Sequence, residues 1–277
     1  MHLLKPTRNA VQLTALILGL FALSACSSSK NKTKKVDTSS YSQLSDLNQK
    51  NSPTDGIATT QFRMEALKDT ALQVGAQGGL AWRSEKINVD LLKQAKHLRN
   101  VFNFNALILD NGILPPVLTQ GNNTLNLDSP TTIRITDKSY KIVSNARFVT
   151  APPNWRDYLI THFKKPEVPN KVLLPKTKDE KEIWKEYLDI GWKNGIEQAD
   201  TIYSENLAKL KRDYEGMILY RKLLAMHMVT PPYVAETDLG VTGDRNHLNI
   251  GDKVLRISAL PGLNVDSHTW KAFIVEE

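Results

Sequence analysis

The chain has 277 residues, with 36 basic and 29 acidic side chains, a formal net charge of +7 and a single cysteine. That length allows one or two domains with ordinary hydrophobic cores. One cysteine excludes an internal disulfide, and a mild, dispersed positive charge without a basic stripe interleaved with aromatics gives no nucleic-acid interface.

The chain starts lightly basic, with His2, Lys5 and Arg8. A mostly apolar run follows from Ala10 to Ala25. It has the length of a signal-peptide core and falls short of the roughly 20 apolar residues that span a bilayer. It ends in Leu23-Ser24-Ala25-Cys26. Small residues suit the narrow site of a signal peptidase, and a cysteine just after the cut offers a thiol to diacylglycerol. These features resemble the bacterial lipoprotein signal. The competing reading is an ordinary secretory signal with a chance cysteine, but the one cysteine occupies the one position the lipoprotein signal requires. The resemblance implies that residues 1–25 are removed and that Cys26 is lipidated on its sulfur and its amine. Each buried CH₂ contributes about 0.8 kcal/mol, and more than one acyl chain gives stable anchoring. Ser27, rather than Asp, follows the cysteine; in Gram-negative lipoproteins this implies the outer membrane, facing the periplasm. Processing leaves 252 of the 277 residues, and loss of Lys5 and Arg8 lowers the charge from +7 to +5.

Residues 26–59 read as a lipidated cysteine followed by a flexible tether, rich in Ser, Lys, Asn, Asp and Thr. Such a composition buries too little apolar surface to offset its ordering entropy. As a coil it has an r.m.s. reach of roughly 30 Å. Part of it can also order against a partner.

A folded body is expected over residues 60–277. Phe62, Ala66, Thr70, Val74, Ala81 and Trp82 recur near helical spacing. A second helical pattern carries Leu91, Ala95, Leu98, Phe102 and Leu109, and Asn111-Gly112 with Pro115-Pro116 stops it. The period then changes: Ile133, Ile135, Tyr140 and Ile142 predict a β-hairpin turning at Asp137-Lys138. A short helix carries Trp155, Tyr158, Leu159 and Phe163. The strongest periodicity spans 178–228, where Trp184, Leu188, Gly191, Gly195, Ala199, Leu210, Met217 and Leu224 follow spacings of three and four. Gly191 and Gly195 allow either a close helix approach or a break. Pro231-Pro232 ends this element, and "HLNIGDKVLRISA" reads as two short strands around Gly251-Asp252. The expected class is α+β: a mainly helical body with one long amphipathic helical segment and small β-hairpins.

Catalytic patterns are missing. There is no G-x-S-x-G, H-E-x-x-H, Walker A or G-x-G-x-x-G motif. Cys26 is taken by lipid in this reading, which removes a cysteine nucleophile. His2, His97, His162, His227, His247 and His268 form no i, i+4 pair, so a metal site needs ligands from distant segments. His97 and His227 read as polar helix edges. Residues 238–244, "DLGVTGD", have the glycines of an anion-cradling loop, but also of a plain turn. Glu180, Glu182 and Glu186 stand among Lys178, Lys181 and Lys185, a pattern of a solvated helix face more than of an acid–base pair. Trp82, Trp155, Trp184, Trp192 and Trp270 can line a glycan groove. Trp184 and Trp192 share a helix face, which fits a core or protein interface better. No catalytic residue, cofactor or metal site is assigned.

Several longer stretches, in order, resemble one family. They are "ILPPVLTQGNNTLNL", "IRITDKSYKI", "TAPPNWRDYL", "LLPKTKDEKEIW", "GWKNGIEQA", "GMILYRKLLAMHMVTPPYV", "LGVTGD" and "DKVLRISALPGLN". They are similar to the DotC (conjugative TraI-like) outer-membrane lipoproteins of type IVB, or Dot/Icm, secretion systems, over residues 60–270. The resemblance implies a structural subunit of the outer-membrane core complex. It implies DotD-like and DotH-like partners, a multi-copy ring around the export channel, and no catalysis or cofactor. Only Cys26, as the lipidated residue, transfers from the family. The alternatives are a cell-wall-acting or peptidoglycan-binding lipoprotein, and a solute-binding lipoprotein, whose repeated βα units are missing.

Overall fold

The computed structural model describes residues 38–48 and 61–271. The expected signal peptide, Cys26 and the remainder of the tether lie outside the described residues. Helices α1 (Tyr41–Ser45), α2 (Gln61–Lys93), α3 (Ala95–Val101), α4 (Trp155–Leu159) and α5 (Lys178–Ala225) combine with three two-stranded antiparallel sheets. The strands are β1 (Ile113–Leu114), β2 (Val117–Ser129), β3 (Thr132–Ser144), β4 (Arg147–Phe148), β5 (Tyr233–Gly243) and β6 (Leu248–Ala259). The pairs are β1 with β4, β2 with β3, and β5 with β6. This is the α+β class.

The spine is α2 packed on α5. α5 is one uninterrupted helix of 48 residues, about 72 Å long at 1.5 Å per residue. It starts in a capping box: Glu180 N–H donates to Thr177 Oγ1 at 3.2 Å, and the Glu180 carboxylate accepts from the Thr177 N–H. It ends in a Schellman turn, with His227 N–H donating to the Leu224 carbonyl and Met228 N–H to the Leu223 carbonyl. His227 takes the left-handed conformation (φ 58°) where glycine is usual.

The two helices run parallel. Arg63 pairs with Glu180 near both starts, and Arg83 pairs with Asp200 further along, each spanning 117 residues of sequence. A parallel pair needs a return connection, and residues 161–174 supply it. They run back along α2, from Thr161 beside Asn88 to Val172 and Leu174 beside Arg63.

The α2–α5 seam is made of small residues. Gly75 lies on the Leu188 carbonyl, Gly79 on that of Trp192, Gly191 on that of Leu72 and Gly195 on that of Ala76. The glycines therefore mark close backbone approach, not a break. They also explain a misread face on α2. Phe62 is 81 % exposed, while Leu67, Ala71, Val74, Gly75, Gly78 and Gly79 are buried. Val74 and Ala81 of the expected stripe are buried, but Phe62 and Trp82 are exposed; glycine carries no hydrophobic signal, so the periodicity missed the part of the face that Gly75, Gly78 and Gly79 form.

Other boundaries moved. The two expected N-terminal helices are α2, which continues to Lys93, and α3, which ends at Val101. Asp137-Lys138 is not a turn but the middle of β3, and the hairpin turns instead at Pro130-Thr131 between Ser129 and Thr132. The first strand was missed because "QGNN" reads as loop; Asn123 (φ 49°) takes the irregular position there. Gly251-Asp252 is likewise internal to β6, whose partner is β5. Within the stretch read as flexible tether, α1 is folded onto the body: Leu44 and Leu47 are buried against Leu67, Ala71, Trp184 and Leu188. A polar composition can still order a short piece when two leucines find a socket.

Candidate assembly surface

Hairpin β2–β3 is rooted in the body and free at its tip. Val117 and Leu118 are buried against α5 around Gly216, Met217 and Tyr220. Beyond Gln120 the strands leave the core. There Leu125 faces Ile135 and Leu127 faces Ile133, directly across the ladder. Alternation puts all four on one side, with Thr124, Asn126, Arg134 and Thr136 on the other.

Hairpin β5–β6 is freer still, and among the described residues no other helix or strand packs broadly on it. Val241 faces Ile250 and Gly243 faces Leu248, so Val241, Leu248 and Ile250 share a face. The turn is closed by the Asp244 carboxylate, which accepts from the Asn246 and His247 N–H groups at 2.7 and 3.0 Å. Those backbone bonds hold the Asp244 carboxyl below its usual range. Gly240 (φ 69°) makes a bulge, with Asp238 Oδ1 accepting its N–H at 2.9 Å. The "DLGVTGD" segment is therefore strand and bulge, not an anion cradle.

The aliphatic side chains at the two tips are 60 % to 79 % exposed. Among the described residues both sheets have two strands, so each of the four strands keeps one edge without a strand beside it. An isolated two-stranded hairpin is marginal in water. Contiguous exposed aliphatic surface of this kind is what protein or membrane interaction sites present.

A groove of about 680 Å³ lies between the root of β2–β3, α4 and α5, with Arg147, Lys209, Arg212, Asp157, Asp213 and Tyr158 on its walls. Its acidic groups are committed to structure. Asp157 caps α4 by accepting from the Asn154 N–H at 2.8 Å. Asp213 accepts from the Tyr158 hydroxyl at 3.2 Å and from Arg212. Burial first, then the Asp213 charge, pushes the Tyr158 hydroxyl up to about 12.

Of the three glutamates at the start of α5, Glu182 and Glu186 are exposed, as expected of a solvated face. Glu180 departs from that expectation. It is buried and forks with Arg63, Nε to Oε1 at 2.7 Å and Nη2 to Oε2 at 3.1 Å. Arg63 is unremarkable in sequence, so no local signal joins the two; the Thr177-x-x-Glu180 spacing of a capping box is the signal that could have set Glu180 apart from its neighbours. Trp155 and Trp184 are core residues, and Trp192 meets the Tyr41 ring edge-on and the Trp82 ring at a tilt. His97 and His227 are exposed. Among the described residues, no three His, Cys, Asp or Glu side chains gather as a metal site, and no helix is long and apolar enough to cross a membrane.

The model of the family described as "Type IV secretory system, conjugal DNA-protein transfer" matches residues 61–272. The chain belongs to that family. The match begins with α2 and covers the α2–α5 spine and both hairpins. No curated protein matches the chain. As a type IV secretory system protein, the chain has a secretion-related role.

Proposed function

We propose that this chain is a non-catalytic structural lipoprotein of the outer-membrane core complex of a type IVB (Dot/Icm) secretion system, of the DotC kind. Acylated Cys26 fastens it to the periplasmic face of the outer membrane. Its body positions DotD-like and DotH-like subunits in a multi-copy ring for export of effectors or DNA. The observation that carries the assembly role is the pair of uncovered aliphatic hairpins on a chain of the secretory family. The lipoprotein signal supports the address.

Replacing Cys26 by serine tests the anchor. The reading predicts that Cys26→Ser leaves the outer-membrane fraction and abolishes secretion or conjugation, while circular dichroism shows an unchanged body. Undiminished outer-membrane fractionation would contradict it.

A further inference from the structure

Helix α1 has five residues, too few to hold a helix alone in water. Tertiary contacts hold it. Leu44 and Leu47 are buried, and the Trp184 indole N–H donates to the Leu44 carbonyl at 3.1 Å. The Tyr41 ring meets Trp192 edge-on at 5.6 Å. Gly78 opens the socket: a Cβ there would stand 2.6 Å from Leu44 Cδ1.

This site lies at the N-terminal pole of the parallel helix pair, near the start of α5. The free hairpins belong to the opposite pole. β2 roots at Gly216–Tyr220, roughly 50 Å along α5 from Trp184, and β5 follows the end of that helix.

We propose that α1 is a clasp that sets how far the body can stand from the membrane. The inference rests on the reading of Cys26 as the lipidated residue. With the clasp shut, residues 27–40 alone lie between the lipid and the first docked residue. Fourteen residues span at most about 50 Å in any conformation. With the clasp open, residues 27–60 intervene, and the limit rises to about 120 Å. The shut clasp limits how far the N-terminal pole can stand from the lipid. Opening it more than doubles the reach; the cost is the loss of Leu44 and Leu47 from one apolar cluster and of the Trp184–Leu44 hydrogen bond.

The test uses the full lipidated chain in bilayers. Spin labels on Gln43→Cys and Lys185→Cys report the clasp by pulsed EPR, and neutron reflectometry reports the height of the protein layer. The native thiol is acylated and does not label. The clasp predicts a short, narrow 43–185 distance in the native background. In Leu44→Asp it predicts a broad, long distribution and a layer extending further from the bilayer, with α5 helicity retained. A second opening variant, Gly78→Leu, fills the socket from the other side and should match it. A broad distribution in the native background overturns the clasp with the anchor intact. A narrow distribution on a chain that fails to bind the bilayer overturns the anchor and the leash while leaving the docked helix standing. An unchanged layer in both opened variants overturns the control of reach.

Discussion

Gly191 lies against the backbone carbonyl of Leu72 with no room for a Cβ between them. Gly195 repeats the relationship one turn later, on the carbonyl of Ala76. Alanine is a better helix former than glycine by about 1 kcal/mol. Here the obstacle is backbone, which cannot swing aside as a flexible side chain would. Gly191→Ala and Gly195→Ala should therefore each destabilise the body, by about 1–3 kcal/mol net of the propensity gain. Urea unfolding of the non-lipidated chain measures this. A stabilised Gly195→Ala would mean the seam is looser than described.

The Arg63–Glu180 fork makes stability depend on acid. Burial pushes the Glu180 carboxyl up, but the Arg63 hydrogen bond, the Lys176 and Thr177 N–H groups and the guanidinium charge together pull it down to about 2, against an ordinary 4.5. The folded value lies below the unfolded one. The contribution is therefore complete above about pH 4.5 and is lost as pH falls toward 2. It amounts to on the order of 3 kcal/mol at neutral pH. Glu180→Gln should flatten the fall in stability between pH 5 and 2. Arg63→Met should cost about 3–5 kcal/mol at pH 7, because it strands a buried carboxylate. Unfolding midpoints at several pH values check both, and an unchanged acid slope in Glu180→Gln would remove the fork from the explanation.

Leu210 is completely buried where α5 meets Leu91, Phe104 and Trp155. Leu210→Asp should destabilise by several kcal/mol, since it places an unpaired carboxyl in an apolar cluster. Loss of the cooperative thermal transition would agree. Retained stability with lost partners would mean this stripe is an interface.

The hairpin tips predict the opposite pattern. Leu248→Lys with Ile250→Lys, or Ile133→Lys with Ile135→Lys, should leave stability within about 0.5 kcal/mol, as for other surface changes. Assembly should fail, seen as loss of the large species by size exclusion of solubilised membranes. Normal assembly in both double variants would show that the tips are not contact surfaces.

The parts legible in the sequence are those whose physics is local. The long helix announced itself through Trp184, Leu188, Leu210 and Met217 at helical spacing. The parts that were not legible depend on a distant partner. Nothing near Arg63 announces a carboxylate 117 residues away, and nothing near Gly78 announces that Leu44 needs its missing side chain. Hairpin β2–β3 hid its first strand because asparagines and glycine at 121–123 read as loop, although Leu125 and Leu127 alternate cleanly beyond them. Its pairing is set by Leu127 facing Ile133 across Pro130-Thr131, a relationship visible only once both strands are placed.

The central claim is that this chain is an anchored building block of a secretion complex. Its most direct test is affinity purification of the tagged chain from detergent-solubilised outer membranes, with subunit stoichiometry measured by quantitative mass spectrometry. The account predicts a multi-copy ring containing this chain and DotD-like and DotH-like subunits in fixed ratio. A monomer that carries no secretion subunits, or one that retains or cleaves peptidoglycan, would contradict it.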